Sequence, residues 1–464
     1  MNEQPIRPNS IEARDIATIL HPYTNLKVHE SEGPLVVTRG EGVRVWDHED
    51  KEYIEGMAGL WCTALGFGEE RLVEAAAAEM RKLPFYHHFT HKSHDVGIDL
   101  AERLLGMAPV PMSKVFFANS GSEANDTAVK LVWYLSNAEG RPERKKIISR
   151  IKAYHGVTVA SASLTGLPKN HEDFDLPIAG ILHTDCPHYY RFAEAGESEE
   201  DFATRCAENL RTMIEDEGPE TVAAFIAEPV MGAGGVMVPP KSYFQKIQAV
   251  LKEYEILFIV DEVITGFGRT GNMWGSQTFD LKPDIITIAK ALTSAYLPMS
   301  AVMICDPVYR TLVKESEKVG VFAHGFTYSG HPVPSAVALE TLKIYEERDI
   351  VAQVRGVMGR FQERLKGFAE QDLVGEARGT GLIGAIELVQ DKKTKASFSP
   401  PGKVGAQCAK FAQSHGLITR AIGDALAFSP PLVITVNEID EMFDRFALAL
   451  KDTADWVARE GLTG

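Results

Sequence analysis

The chain has 464 residues, 45% hydrophobic and 24% charged, a composition that fits a globular protein of two domains better than one core. Its 48 basic against 64 acidic residues leave a net charge of −16, which argues against nucleic acid as a partner. No apolar run approaches the ~20 residues of a membrane span, and the opening MNEQPIRPNSIEARD lacks a signal-peptide core, so a cytoplasmic location is expected.

In chain order, Leu35–Trp46 alternates apolar and polar residues around a glycine turn and reads as a hairpin. Val115–Ala118 is a strand, followed by a helix whose apolar positions Ala124, Ala128, Leu131 and Leu135 share one face. Ile147–Ser149 begins another strand, and Val222–Ala227 is a third. Tyr243–Tyr254 reads as a helix. Leu257–Val260 and Ile285–Ala289 are further strands. Beyond Pro332 helical patterns dominate, with a strand-like stretch at Gly381–Leu388. Apolar strands separated by helices predict a mostly parallel sheet covered on both faces. The expected division is 1–65 and 332–464 in a smaller α/β domain, with 66–331 as the large domain.

Ligands of such sheets bind beyond the carboxyl ends of the strands. The residues that follow the strands are Asn119-Ser120-Gly121-Ser122, then Glu228, then Asp261-Glu262, then Lys290. Ser120 with Glu123 fits a capping box, and the N–H groups behind it suit either a plain cap or a phosphate. Asp261 is either a cap or ion-pair partner, or a buried carboxylate that holds a cationic nitrogen. Tyr154, before His155-Gly156, is a lid on the core or a ring that stacks on a planar ligand. Lys290 either snorkels to solvent or sits desolvated as a Schiff-base amine. Taken together, phosphate site, ring-nitrogen carboxylate, aromatic cover and amine match pyridoxal 5′-phosphate (PLP).

Two other patterns compete. Gly266–Gly271 (GFGRTG) spells a dinucleotide fingerprint, the mark of an oxidoreductase. It opens five residues late and no helix pattern follows, so that reading is disfavoured. His87, His88, His91 and His94 lie close together, and His87 and His91 could share a helix face as metal ligands. No flanking carboxylate or cysteine has convincing spacing, and no metal is expected. The five scattered cysteines show neither zinc spacing nor a disulfide framework.

These stretches resemble the class III aminotransferases, PLP enzymes of fold-type I, and within them the pyruvate-dependent ω-transaminases. The resemblance rests on MAGLWC (57–62), NSGSEAND (119–126), YHG (154–156), AEPVMGAGGVMVPP (227–240), VDEVITGFGRTG (260–271), HGFTYSGHP (324–332) and RAIGDALAFSPPL (420–432). It implies that Lys290 carries the cofactor as a Schiff base and that Asp261 holds the protonated ring nitrogen. Val263 and Tyr154 would cover the two ring faces, with His155 beside them. Ser120, Gly121 and Ser122 would form the phosphate turn, and Thr327 of a partner subunit would complete it. Glu228 would lie near the Schiff base, and Arg420 would clamp a carboxylate. Leu60, Trp61, Phe89 and Ala233 would line the substrate pocket. The implied assembly is a homodimer, possibly a tetramer. The implied reaction moves an amino group from a primary amine or ω-amino acid to pyruvate. A 2-oxoglutarate-dependent aminotransferase, an aminomutase or a decarboxylase of the same fold is the alternative. The chain departs from its relatives at Ala291, Ala295 and Ser300, where glycine is usual, and in RIKAYHG, which lacks the usual asparagine-glycine pair.

Overall fold

The computed structural model describes residues 7–462. Its central sheet has seven strands: β1 (Lys114–Ala118), β2 (Lys146–Arg150), β3 (Ile181–Thr184), β4 (Val222–Ala227), β5 (Leu257–Asp261), β6 (Ile285–Ile288) and β7 (Ser300–Ile304). They lie in the order β1-β7-β6-β5-β4-β2-β3. Strands β3, β2, β4, β5 and β6 pair in parallel. Strand β7 runs antiparallel to both β6 and β1, so it alone is reversed. The predicted strands are all present. β3 and β7 are additional, and β7 is buried throughout its SAVMI run.

Burial on both faces explains the unbroken apolar runs. All six residues of β4 are buried. Its side chains alternate, as a strand requires. Ala224 and Ile226 pack in one cluster with Ala124, Ala128, Leu131 and Leu135 of the helix Gly121–Ala138. Phe225 and Ala227 pack in the other with Leu210 of Glu199–Glu217 and Ile247 of Tyr243–Glu253.

The two chain ends share a second sheet. Val37–Glu41, Arg44–Asp47 and Glu52–Glu55 run antiparallel, and Leu417–Ile418 adds in parallel with Leu417 opposite Ile54. Gly42 turns the first hairpin at φ +55°, a conformation glycine adopts without strain. A third, antiparallel sheet joins Val374–Thr380, Ile383–Leu388, Ala425–Phe428 and Arg420–Ile422. Only one of these four strands was expected from sequence. The others are short or rich in charge and glycine, and they pair through partners remote in the chain. The long helix Val436–Arg459 closes the chain, and a capping box between Thr435 and Glu438 starts it. Among the described residues no helix is long and apolar enough to cross a membrane.

Candidate active site

The carboxyl ends of β1, β4, β5 and β6 converge on one cavity. Its wall includes Gly121, Ser122, Tyr154, His155, Glu228, Ala233, Asp261, Val263 and Lys290, with Leu60, Trp61 and Arg420 closing the outer side. Every sequence-predicted site residue therefore lines it except Ser120, Phe89 and Thr327. Ser120 is exposed and works as the cap, its Oγ accepting from Glu123 N at 3.2 Å. The Glu123 carboxylate takes Asn119 N (2.7 Å) and Asn119 Nδ2 (2.9 Å), so the expected box is shifted by one residue. Phe89 lies in a separate depression with His88 and Phe117, against Gly325. Its loop, residues 83–94, is not helical and runs over the 322–330 segment, which draws the ring away from the cavity. Thr327 is exposed outside the cavity of its own subunit.

Asp261 is the last residue of β5 and is 3% exposed. Its Oδ2 accepts from Asn125 Nδ2 (2.9 Å) and His155 Nδ1 (2.8 Å), and its Oδ1 accepts from Val263 N (3.0 Å). A buried carboxylate persists only when hydrogen-bonded or paired in this way. Asn125 also donates to the His155 carbonyl at 2.6 Å, which locks the two residues together. No local sequence pattern marks Asn125, although it stands four residues after Gly121, on the same helix face one turn in. The same holds for Tyr23. It comes from a distant loop, lines the cavity and meets Tyr154 edge-on at 6.4 Å.

Lys290 follows β6 at φ +47°, an uncommon conformation for a residue with a side chain. Its amine has no hydrogen-bond or ion-pair partner among the described residues. Burial holds that amine below the ordinary lysine range, with the Arg420 charge adding to the effect and Asp261 opposing it. Glu228 accepts from Tyr154 N (3.0 Å) and Gly232 N (2.9 Å), so it fixes the turn that carries Tyr154. Burial raises the Glu228 carboxyl. Arg420 is half-buried, pairs with no carboxylate among the described residues, and stacks over Trp61 at 5.1 Å.

A cofactor with a phosphate, a ring nitrogen and an aldehyde fits these groups. The first N–H groups of a helix lack intrahelical acceptors, and Gly121 and Ser122 open theirs into the cavity. Asp261 supplies the buried anion and Lys290 the unpaired amine. Tyr154 and Val263 both line the same cavity. Gly156 brings its backbone close against the Gly121–Ser122 turn, since a Cβ there would meet Ser122 Oγ at 2.5 Å. The departures from the family pattern also find places. Ser300 Oγ donates to the Ser120 carbonyl at 2.7 Å, tying β7 to the Ser120–Ser122 turn as glycine could not. Lys152 keeps φ +67° where an asparagine-glycine pair would be more relaxed.

The competing motifs resolve differently. Gly266–Gly271 is a run of turns, and the four-residue helix Gly275–Thr278 behind it opens only after three further residues, with its start turned to Glu262 and not to a ligand. His87 and His91 share no helix face; in that loop His88 and His94 meet instead, Nε2 to Nε2 at 3.0 Å.

The family model for class III aminotransferases matches residues 26–450. Among curated proteins, γ-aminobutyrate transaminase 3 of Solanum lycopersicum is 50% identical, over 97% of this chain and 88% of its own length. γ-Aminobutyrate transaminase 1 of Oryza sativa subsp. japonica is 53% identical, over 95% and 86%. Among solved structures, the ω-transaminase of Pseudomonas jessenii in complex with PMP is 56% identical. It covers 97% of this chain and 99% of that one, with a TM-score of 0.96. A transaminase solved with L-Ala is 59% identical over 91% and 100%, with a TM-score of 0.90.

Proposed function

The chain belongs to the class III aminotransferases, and from that premise we propose that it carries an amino group from a primary amine or ω-amino acid to pyruvate, giving an aldehyde or ketone and L-alanine. The observation that carries this reading is Arg420. An unpaired, half-buried guanidinium beside Lys290 is a site for a substrate carboxylate. Two-stage transfer brings donor and acceptor to one site in turn, so the same arginine serves a keto acid and the carboxylate of an ω-amino acid. The relatives named for γ-aminobutyrate support a donor of that kind.

The cofactor is PLP, which supplies the carbonyl that takes up the amino group and an electron sink for the adjacent carbon. The residues of this chain do the rest. Gly121 and Ser122 N–H groups bind the phosphate. Asp261, braced by Asn125 and His155, keeps the ring nitrogen protonated. Tyr154 and Val263 hold the ring between them. Lys290 anchors the cofactor, then takes a proton from the carbon bearing the amine and returns it at C4′. Its depressed basicity keeps a useful fraction of the amine uncharged.

We read the assembly as a homodimer in which Thr327 and Phe89 reach the partner's cavity. Both are exposed on the subunit surface, and they lie in one region with exposed Phe85, Tyr86 and Tyr328. The test of the reaction is a donor panel run against pyruvate, with 2-oxoglutarate as rival acceptor and L-alanine detected directly. Alanine formed from γ-aminobutyrate or a simple amine supports the reading. Glutamate formed in its place overturns the acceptor, and release of carbon dioxide overturns amino transfer.

A further inference from the structure

The N-terminal segment presents a feature that amino transfer does not use. Helices Ile11–Thr18 and Leu26–Glu32 have eight and seven residues, and neither has a buried residue. Helices this short are marginal without tertiary packing. Yet the loop between them places Tyr23, at φ +50°, against the cavity and Tyr154. Polar contacts tie the segment to the rest of the chain, Glu12 to His48, Glu32 to Lys410 and Tyr23 Oη to Asn170 Nδ2, and a separate cluster joins the two helices to each other.

Three side chains meet across that loop. Asp15 Oδ1 lies 2.8 Å from His21 Nε2 and 3.1 Å from His29 Nε2. The two imidazole rings are 4.1 Å apart. The three side chains are only 15%, 25% and 9% exposed. Among the described residues Asp15 has no lysine or arginine partner. The neighbouring carboxylate of Glu12 is taken by His48 at 2.7 Å, and Lys27 pairs with Glu30. Two imidazolium ions this close would repel each other, so the carboxylate cannot be matched by two charged rings at little cost.

We propose that Asp15, His21 and His29 bind a divalent transition-metal cation of the zinc class, which staples the two N-terminal helices and seats Tyr23 at the cavity. Two imidazole nitrogens and one carboxylate oxygen are a donor set suited to such a cation. Bonds of about 2.0–2.1 Å in a tetrahedron put ligand atoms roughly 3.4 Å apart. The three donor atoms already lie within 4.8 Å of one another, and two of the three separations are 2.8 and 3.1 Å. A small opening of the cluster admits the ion, with water in the fourth position. The cation accepts lone pairs from both rings at once and offsets the Asp15 charge. The other histidine-carboxylate cluster, His188 with Glu376 and Glu387, does not need one. Arg378 Nη1 already lies between its two carboxylates, at 2.7 and 2.6 Å.

The test uses the PLP-loaded full chain after chelation and dialysis, titrated with Zn²⁺ alone by calorimetry and with Co²⁺ alone by visible absorption. Because PLP itself offers a phosphate to cations, the quantity read is the difference between the wild type and His21→Ala/His29→Ala. One Zn²⁺ per subunit above the double variant is expected, with tetrahedral Co²⁺ bands. His29→Ala should weaken binding at least about tenfold, and His29→Cys, which restores a ligand, should recover it. Zn²⁺ should raise the melting temperature of the wild type and leave the double variant unmoved. Intact cofactor absorbance in the variants shows that they are folded. Equal uptake by wild type and double variant, or no uptake by either, overturns the proposal.

Discussion

Replacing Arg420 by alanine separates its role as a clamp from a merely structural one. The guanidinium has no carboxylate partner of its own among the described residues, so a substrate carboxylate gains an ionic hydrogen bond without breaking an existing pair. Such bonds contribute about 1.5–3 kcal/mol. At about 1.4 kcal/mol per decade, the variant should lose roughly ten- to hundredfold in kcat/KM for pyruvate. A donor without a carboxylate should change by no more than about fivefold, since only stacking on Trp61 is lost on that side, about 0.5–1 kcal/mol. The assay is single-turnover stopped flow of each half-reaction, followed by cofactor absorbance. A second readout is the pH profile. Arg420 helps to depress the Lys290 amine, so its removal should move the acidic limb of the profile upward in pH. Arg420→Lys should fall between the two, keeping the charge but not the fork. Equal losses in both half-reactions, or an unchanged pyruvate half-reaction, would refute the clamp.

Lys290→Ala should retain the fold and bind PLP without a covalent link, with turnover near zero; near-normal turnover in a coupled alanine assay would show that another base serves. Asn125→Ala removes one of two donors to Asp261 Oδ2, and about 1.5–3 kcal/mol of ionic hydrogen bonding should go with it. PLP titration of the apoenzyme should show a dissociation constant raised tenfold or more, and an unchanged constant would mean that His155 and Val263 N hold the carboxylate without Asn125. Glu55 lies beneath the Met57–Cys62 loop and accepts from Met57 N and Gly59 N, while burial pushes its carboxyl up to about 7. Its folded pKa exceeds its unfolded one, so the unfolded chain loses the proton first as pH rises. Glu55 therefore subtracts stability between about pH 4.5 and pH 7 and adds no further slope above it. Glu55→Gln, which keeps an acceptor oxygen, should flatten that part of the pH-stability curve in urea melts, and identical slopes would contradict the assignment.

Much of the site was legible because a parallel sheet exports its chemistry to one edge. Each apolar run could be followed to its end, and Glu228, Asp261 and Lys290 stand at or just beyond those ends. The helix pattern behind Gly121 was equally plain, because Ala124, Ala128, Leu131 and Leu135 face one cluster. Other residues depend on contacts that no local pattern records. Asn125 looks like any polar residue of an amphipathic helix until His155, from the loop after one strand, and Asp261, at the end of another, are brought beside it. Tyr23 belongs to a turn nearly the whole of a domain away in sequence. Phe89 carried a motif-based expectation, but the path of its loop decides which cavity the ring enters, and that path depends on packing over residues 322–330.

Lys290 shows how these levels meet. A lysine at the end of a buried strand is costly as a charge. Here the strand is central, the backbone turns through φ +47°, and the side chain enters a cavity instead of solvent. Asp261 is near enough to favour the charged amine, yet burial and Arg420 outweigh it. Asp261 is meanwhile occupied by Asn125, His155 and Val263 N. The carboxylate is thus supported without the lysine, and the lysine is left unpaired. An amine and an acid that neutralised each other would form a stable ion pair with nothing left for a ligand. Keeping them apart, each held by other means, is what makes the pair available to a cofactor that needs a nucleophilic nitrogen at one end and an anion at the other.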